Sequence, residues 1–252
     1  MGIIFEVCCG SYEDALTAKQ AGAHRVELNS ALFLGGLTPS MGNFLPTRKL
    51  EDLEVLPMVR PRPGGFFYSP AEYSAMVLDA RLFMKHGADG IVFGFLLADG
   101  NVDEQRTAEF AEIAASEGKV AVFHRAFDLT PDPLAALESL IKCGVTRVLT
   151  SGQASRAYEG IGLIKTLAEQ ADGRIEILPG AGIRSTNAAH IVEYTGVNQI
   201  HFSAHAQQTE PSARAGRSRS ISFSSGTYPG DDVVEVISAE KIADVIKSIK
   251  YS

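Results

Sequence analysis

Four segments of the chain share one pattern when aligned on a glycine: Gly22-AHRVELN, Gly87-ADGIVFG, Gly144-VTRVLTS and Gly196-VNQIHFS. Each glycine follows residues with helical apolar spacing and precedes residues that alternate as a strand does. Glycine suits that junction because it takes the left-handed backbone at a helix C-terminus without a Cβ clash. The distance from one such glycine to the next leaves room for a further strand and helix. IIFEVC, VLPMVR, VAVFHRAF and IEILPG supply the intervening strands, and the motifs Ser69-Pro-Ala-Glu72, Asp132-Pro133 and Ser185 open helices. Strand and helix alternating eight times in 252 residues predict an α/β fold, a TIM-like (β/α)8 barrel in a single domain over 1–252. A doubly wound open sheet obeys the same periodicity and is the alternative. Residues 206–237, rich in Ser, Gly and Arg, read as a long loop after the eighth strand, and 238–250 as a C-terminal helix.

Strand alternation also assigns faces. Val26, Leu28, Ile91, Phe93, Val148, Thr150, Ile200 and Phe202 fall on one face and belong under the helices. Glu27 and Asn29, Val92 and Gly94, Leu149 and Ser151, and His201 and Ser203 fall on the other and point into the barrel. The later residue of each pair lies toward the open C-terminal mouth, where barrel enzymes place their sites.

Charge and composition narrow the partners. A net charge of -7 excludes a general nucleic-acid binder, which needs a basic face to displace counterions from phosphates. No apolar run reaches the roughly 18 residues of a membrane span, and MGIIFEVCCGS lacks the basic start of a signal peptide, so a cytoplasmic protein is expected. Three cysteines, two of them adjacent, predict reduced thiols in place of a disulfide framework. The expected partner is an ion or a small molecule, with no nucleic acid and no membrane.

The inward face collects ionisable groups. Parity turns Glu6 and Cys8 inward and Cys9 outward, polarity turns Arg60 inward, and Glu27 and His201 join them. Buried charges are costly unless paired, so these should form one hydrogen-bonded network, which either serves a site or only satisfies itself in the barrel floor. In VAVFHRAFD either His124 or Arg125 faces inward; with His124 inward, Asp128 reaches the mouth on the same face. Glu27, His124 and Asp128 are the candidate acid/base groups. The turn Pro179-Gly180-Ala-Gly182, the helix expected at Ser185, and Ser203 suit an anion, as do Arg60, Arg125 and Ser151. Arg214, Arg217 and Arg219 of the long loop could meet the same anion. For a metal, Cys8 and Cys9 point to opposite faces and cannot chelate one ion together, and His201 and His205 straddle a strand end. Cys8 is then the soft ligand available to the interior.

EVCC, GAHRVELNSALFLGGLTPS, VRPRPGGFFYSPAEY, FHRAFDLTPDPLAALE, RVLTSGQ and LPGAGIRSTN stand in one order across residues 3 to 205 and together resemble the CutC family, named for copper homeostasis. The resemblance implies a TIM-like barrel in a cytosolic homo-oligomer. It also implies copper handling, with copper(I) as the candidate ion and Cys8 as its candidate ligand. Asn29 and Thr130 stand where members often carry cysteine. Glu6, Glu27, Arg60, His124, Arg125 and Asp128 keep the rest of the motif. The alternative reading is a barrel enzyme acting on a small anionic or phosphorylated metabolite at the mouth.

Overall fold

A computed structural model describes residues 2–212 and 232–250. Eight short parallel strands each lead into a helix: β1 (Ile4–Cys9), α1 (Tyr12–Gln20), β2 (Arg25–Leu28), α2 (Met41–Arg48), β3 (Glu54–Pro57), α3 (Pro70–Lys85), β4 (Gly90–Phe93), α4 (Glu104–Ala115), β5 (Val120–Phe123), α5 (Pro133–Lys142), β6 (Arg147–Thr150), α6 (Ile161–Ala171), β7 (Glu176–Pro179), α7 (Ala188–Thr195), β8 (Gln199–Phe202) and, after an added ribbon, α8 (Ala239–Lys250). The strands form two ladders, β3-β2-β1-β8 and β4-β5-β6-β7. Met58 and Val92 bridge β3 to β4, with Val59 N–H donating to the Val92 carbonyl at 2.7 Å. At the other seam β7 lies against β8, where Gln199 Nε2 donates to Glu176 Oε2 at 3.2 Å. The ring therefore closes as a TIM-like barrel, and the open-sheet alternative falls away.

The start signals act as expected at α3, where Ser69 and Glu72 form a capping box with Pro70 at the first helical position, and at α5, capped by Asp132. Gly22, Gly87, Gly144 and Gly196 all take positive φ, between 72° and 98°, which explains why the repeat is anchored on glycine. The helix expected at Ser185 opens later, at Ala188. Asn187 folds back instead, its Oδ1 accepting the Arg184 N–H at 2.8 Å.

Face assignment follows parity. Val7, Val26, Leu28, Ile91, Phe93, Val148, Ile200 and Phe202 are buried in the layer between strands and helices, while Leu56, Met58, Val92 and Val122 form a small apolar plug inside the barrel. Beside that plug the interior is polar. Arg25 is 1 % exposed, ion-paired with Glu6 through Nε and donating from Nη2 to Gln199 Oε1 at 2.7 Å. Arg147 Nε meets Glu176 Oε2 at 2.6 Å. The same parity that turns Glu27 and Leu149 inward also turns Arg25 and Arg147 inward, so this floor was within reach of the strand pattern.

The segment expected as a loop over 206–237 begins and ends in structure. β9 (His205–Thr209) pairs antiparallel with β10 (Val233–Ile237), with His205 opposite Ile237 and Thr209 opposite Val233. β9 is polar, HAQQT, which hid it among loop residues, whereas β10, VVEVI, is apolar and was within reach of the sequence. Ile237 N–H donates to Asp14 Oδ1 at 3.1 Å and fastens the ribbon to α1. Arg214, Arg217 and Arg219 lie outside the described residues. Among the described residues no helix is long and apolar enough to cross a membrane.

Candidate functional site

A cavity of about 400 Å3 opens at the C-terminal ends of the strands. Its base is made by Cys8, Glu27 and His201, on the neighbouring strands β1, β2 and β8. One ligand atom from each, Sγ, a carboxylate oxygen and a ring nitrogen, lies within 4.8 Å of the others. Cys8 Sγ–H donates to Glu27 Oε2 at 3.6 Å, and Asn29 Nδ2 donates to the same oxygen at 2.8 Å and to Sγ at 3.5 Å. Glu27 Oε1 is buried and has no hydrogen-bond partner among the described residues.

The electrostatics of this base follow from burial and from three acids and bases at close range. Burial, reinforced by Glu27, pushes the Cys8 thiol well above its ordinary value, so it is protonated at neutral pH. Burial also raises Glu27, against the opposing pull of His201. Burial works against protonation of His201, but Glu27 and then Glu6 outweigh it and raise the imidazole above its usual range. Glu6 moves the other way: burial opposes its charge, yet Arg25 and the His201 hydrogen bond hold it far below the carboxylate range. His201 Nδ1 lies 2.7 Å from Glu6 Oε1. An ionised Glu6 accepts from Nδ1–H and leaves Nε2 for the cavity, the arrangement that orients metal-binding imidazoles. Glu6 itself does not line the cavity. Expected as a ligand-binding residue, it sits in the floor because its strand position is one inward step before Cys8, level with Arg25 and not with Glu27.

His124, and not Arg125, faces inward. His124 is 4 % exposed, and its ring occupies the space that a side chain at position 94 would need. A Cβ on Gly94 would stand 2.5 Å from His124 Nδ1 and 2.9 Å from Ala126 Cβ. Gly94→Val is therefore expected to expel the ring and cost about 1–3 kcal/mol by overpacking, a loss that chemical denaturation measures; unchanged stability would contradict the tight fit. His124 Nδ1 accepts the Ala126 N–H at 3.1 Å. Burial, helped by the Arg60 charge, pushes the imidazole down to about 3, so the ring is neutral and its proton sits on Nε2.

Arg125 and Asp128 line the cavity by their edges but are engaged with each other. Arg125 Nε donates to Asp128 Oδ2 at 2.7 Å, and its Nη2 donates to Ser151 Oγ at 2.8 Å. Asp128 Oδ1 also accepts from Thr150 Oγ1 at 2.6 Å and from Gln153 N–H at 3.2 Å, and the Ser151 N–H reaches the same carboxylate. This clamp fastens FHRAFD to LTSGQ. It occupies the lone pairs that an acid/base Asp128 would need, and it draws Ser151 out of the cavity wall. Thr130 is bonded to Phe127 and Gln153 and lies outside the lining, whereas Asn29 lies in it.

The turn after β7 contributes unevenly. Gly182 and Ser203 line the cavity, and Gly180 does not; a Cβ there would come within 2.6 Å of Leu149 and 3.3 Å of His201, so glycine at 180 makes room for the His201 ring. A second hollow, lined by Arg184, Ser185, Lys241 and Asp244, shares Gly182, Ser203 and His205 with the first. Lys241 Nζ is held by the His205 carbonyl at 2.6 Å. Sequence reasoning missed Phe66, Leu149 and His205 as lining residues. Phe66 and His205 lie in irregular or edge segments, where periodicity carries no facing information; Leu149 was assigned inward without a role.

The chain matches the CutC family over residues 3–206. It is 53% identical over 247 residues to a CutC family protein of Treponema denticola, covering 98% of this chain and 99% of that protein. It is 41% identical over 241 residues to the human copper homeostasis protein cutC homolog, covering 96% and 87%. The crystal structure of CutC from Streptococcus agalactiae superposes with a TM-score of 0.75 at 32% identity, over 79% of this chain and 98% of that one. A thiamine phosphate pyrophosphorylase from Pyrococcus furiosus, at 12% identity and a TM-score of 0.57, shares the fold alone.

Proposed function

The chain belongs to the CutC family, and on that premise we propose that it works in copper homeostasis by binding copper directly, as cargo, at the base of the barrel mouth. The observation that carries this reading is the convergence of Cys8, Glu27 and His201, with ligand atoms within 4.8 Å of one another. A thiolate and an imidazole form a donor pair suited to Cu(I), and the unpartnered Glu27 Oε1 supplies a third donor and a negative charge. Glu6 behind His201 supports the imidazole as a metal ligand. A single thiol makes the site softer than an oxygen cage but less soft than a dithiol, which suits an ion that must also be released. The protein acts, in this reading, as a cytosolic homo-oligomer.

A competition titration against a coloured Cu(I) chelator, under reducing conditions, tests the proposal. Wild type and Cys143→Ser are expected to withdraw one equivalent of Cu(I), and Cys8→Ser to lose that ability. Equal binding by Cys8→Ser and Cys143→Ser would overturn it.

A further inference from the structure

The part of the same cavity wall that follows β3 and β5 has a different character from its base. Arg60 is 6 % exposed, and its Nη1 donates to the carbonyls of Leu34 at 3.0 Å and Gly36 at 2.9 Å, and its Nη2 to that of Gly64 at 2.9 Å. Arg60 Nε has no partner, and among the described residues no carboxylate pairs with this guanidinium. The contrast with the other buried guanidiniums is direct, since Arg25 and Arg147 each meet a glutamate. A buried cation whose neighbours are carbonyl oxygens, the Tyr68 hydroxyl and the Phe66 ring lacks the countercharge that normally offsets its desolvation. His124 adds a second unused donor: its neutral ring holds its proton on Nε2, and that buried atom also lacks a partner. The Phe66 ring touches both, with its centroid 5.3 Å from Arg60 Cζ and 4.7 Å from the His124 ring centroid. Two unused N–H donors and one uncompensated positive charge thus belong to the Arg60 and His124 side.

Toward the cavity base, on and just after β2, the unused atoms are acceptors. Glu27 Oε1 and Asn29 Oδ1 are buried and without partners. Met58, Leu149 and Phe66 supply apolar wall between the two sides. We propose that the cavity binds a small hydroxy- or amino-carboxylic acid, its carboxylate on Arg60 and His124 and its hydroxyl or ammonium toward Glu27 and Asn29. One positive charge and two donors match the single charge and two oxygens of a carboxylate; a phosphate dianion would leave charge uncompensated. A volume of about 400 Å3 limits the ligand to the size of a small metabolite. The binding does not require copper, because the carboxylate is held by Arg60 and His124; Glu27 Oε1 is common to both ligands, so the ion and the acid compete there.

The test uses the full chain, stripped of metal and kept in chelator, so that failure to bind copper leaves its readout untouched. Thermal melting with lactate, glycerate, serine, unsubstituted propionate and inorganic phosphate, followed by calorimetry of the best stabiliser, supplies affinities. Lactate, glycerate or serine is expected to raise the melting temperature, with propionate and phosphate clearly weaker. Arg60→Gln and His124→Phe are each expected to weaken the best ligand by roughly tenfold or more, whereas Arg62→Gln, on an exposed arginine paired with Glu72, leaves it within about twofold. Should Arg60→Gln fail to fold, His124→Phe and the ligand series decide. No stabilisation by any of the three substituted acids, a preference for phosphate, or equal binding by folded Arg60 or His124 variants would overturn the assignment.

Discussion

Replacing Arg25 by methionine is expected to cost about 3–5 kcal/mol of folding stability, because it strands the buried Glu6 carboxylate in the barrel floor. Arg25 and Glu6 are 1 % and 2 % exposed and ion-paired, so bulk solvent does not screen either charge as it does in a surface pair. His201 remains on the other carboxylate oxygen at 2.7 Å, which places the cost toward the lower end. Glu6 titrates below its ordinary 4.5 in the folded chain, so its share of stability is present above that value and is lost as pH falls through the lower folded one. In Arg25→Met the carboxylate protonates more readily, and the gap to wild type is expected to narrow as pH drops below about 4.5. Urea denaturation at pH 7 and pH 4 measures both effects. Adding Glu6→Leu to Arg25→Met is expected to recover part of the loss, since two apolar side chains replace a broken pair. A cost below about 1 kcal/mol at pH 7 would mean the floor is wet.

Much of this architecture is legible in the chain because strands have a period of two. Once Glu27 is assigned inward, Arg25 and Asn29 follow on β2, and Glu6 and Cys8 follow on β1 by the same rule. What parity cannot supply is depth. Glu6 and Glu27 share a facing, yet one lies in the floor beside Arg25 and the other at the cavity base beside Cys8, because the strands are staggered so that Cys8 and not Glu6 is level with Glu27. Irregular segments escape parity altogether. Phe66 follows a run of turn residues, and Asp128 lies in a single short helical turn over Arg125–Leu129 whose direction is set by Ser151 and Gln153, far away in sequence. His124 was ambiguous from strand pattern, but Gly94 carried the missing information: an inward glycine on the adjacent strand marks a space reserved for a neighbouring ring.

Cu(I) affinity is expected to rise steeply with pH, because copper must displace the Cys8 proton that burial and Glu27 hold in place. While that thiol remains protonated, each pH unit should tighten binding about tenfold, one proton being released per ion bound. Below the raised titration of His201 a second proton must leave Nε2, and the slope should approach about a hundredfold per pH unit. Cys8→Ser removes the first proton and the soft ligand together; outer ligands alone are worth about 10–100-fold in metal affinity, so its loss should reach at least about a hundredfold. Asn29→Cys makes the opposite change, placing a second thiol where Asn29 Nδ2 now lies 3.5 Å from Cys8 Sγ, and is expected to tighten Cu(I) by about tenfold or more. Chelator competition between pH 6 and pH 8.5 on the three proteins reads all of these quantities. A flat pH profile for wild type would show that the ion bypasses the thiol, and the geometry of the cavity base would then have to serve the carboxylic acid alone.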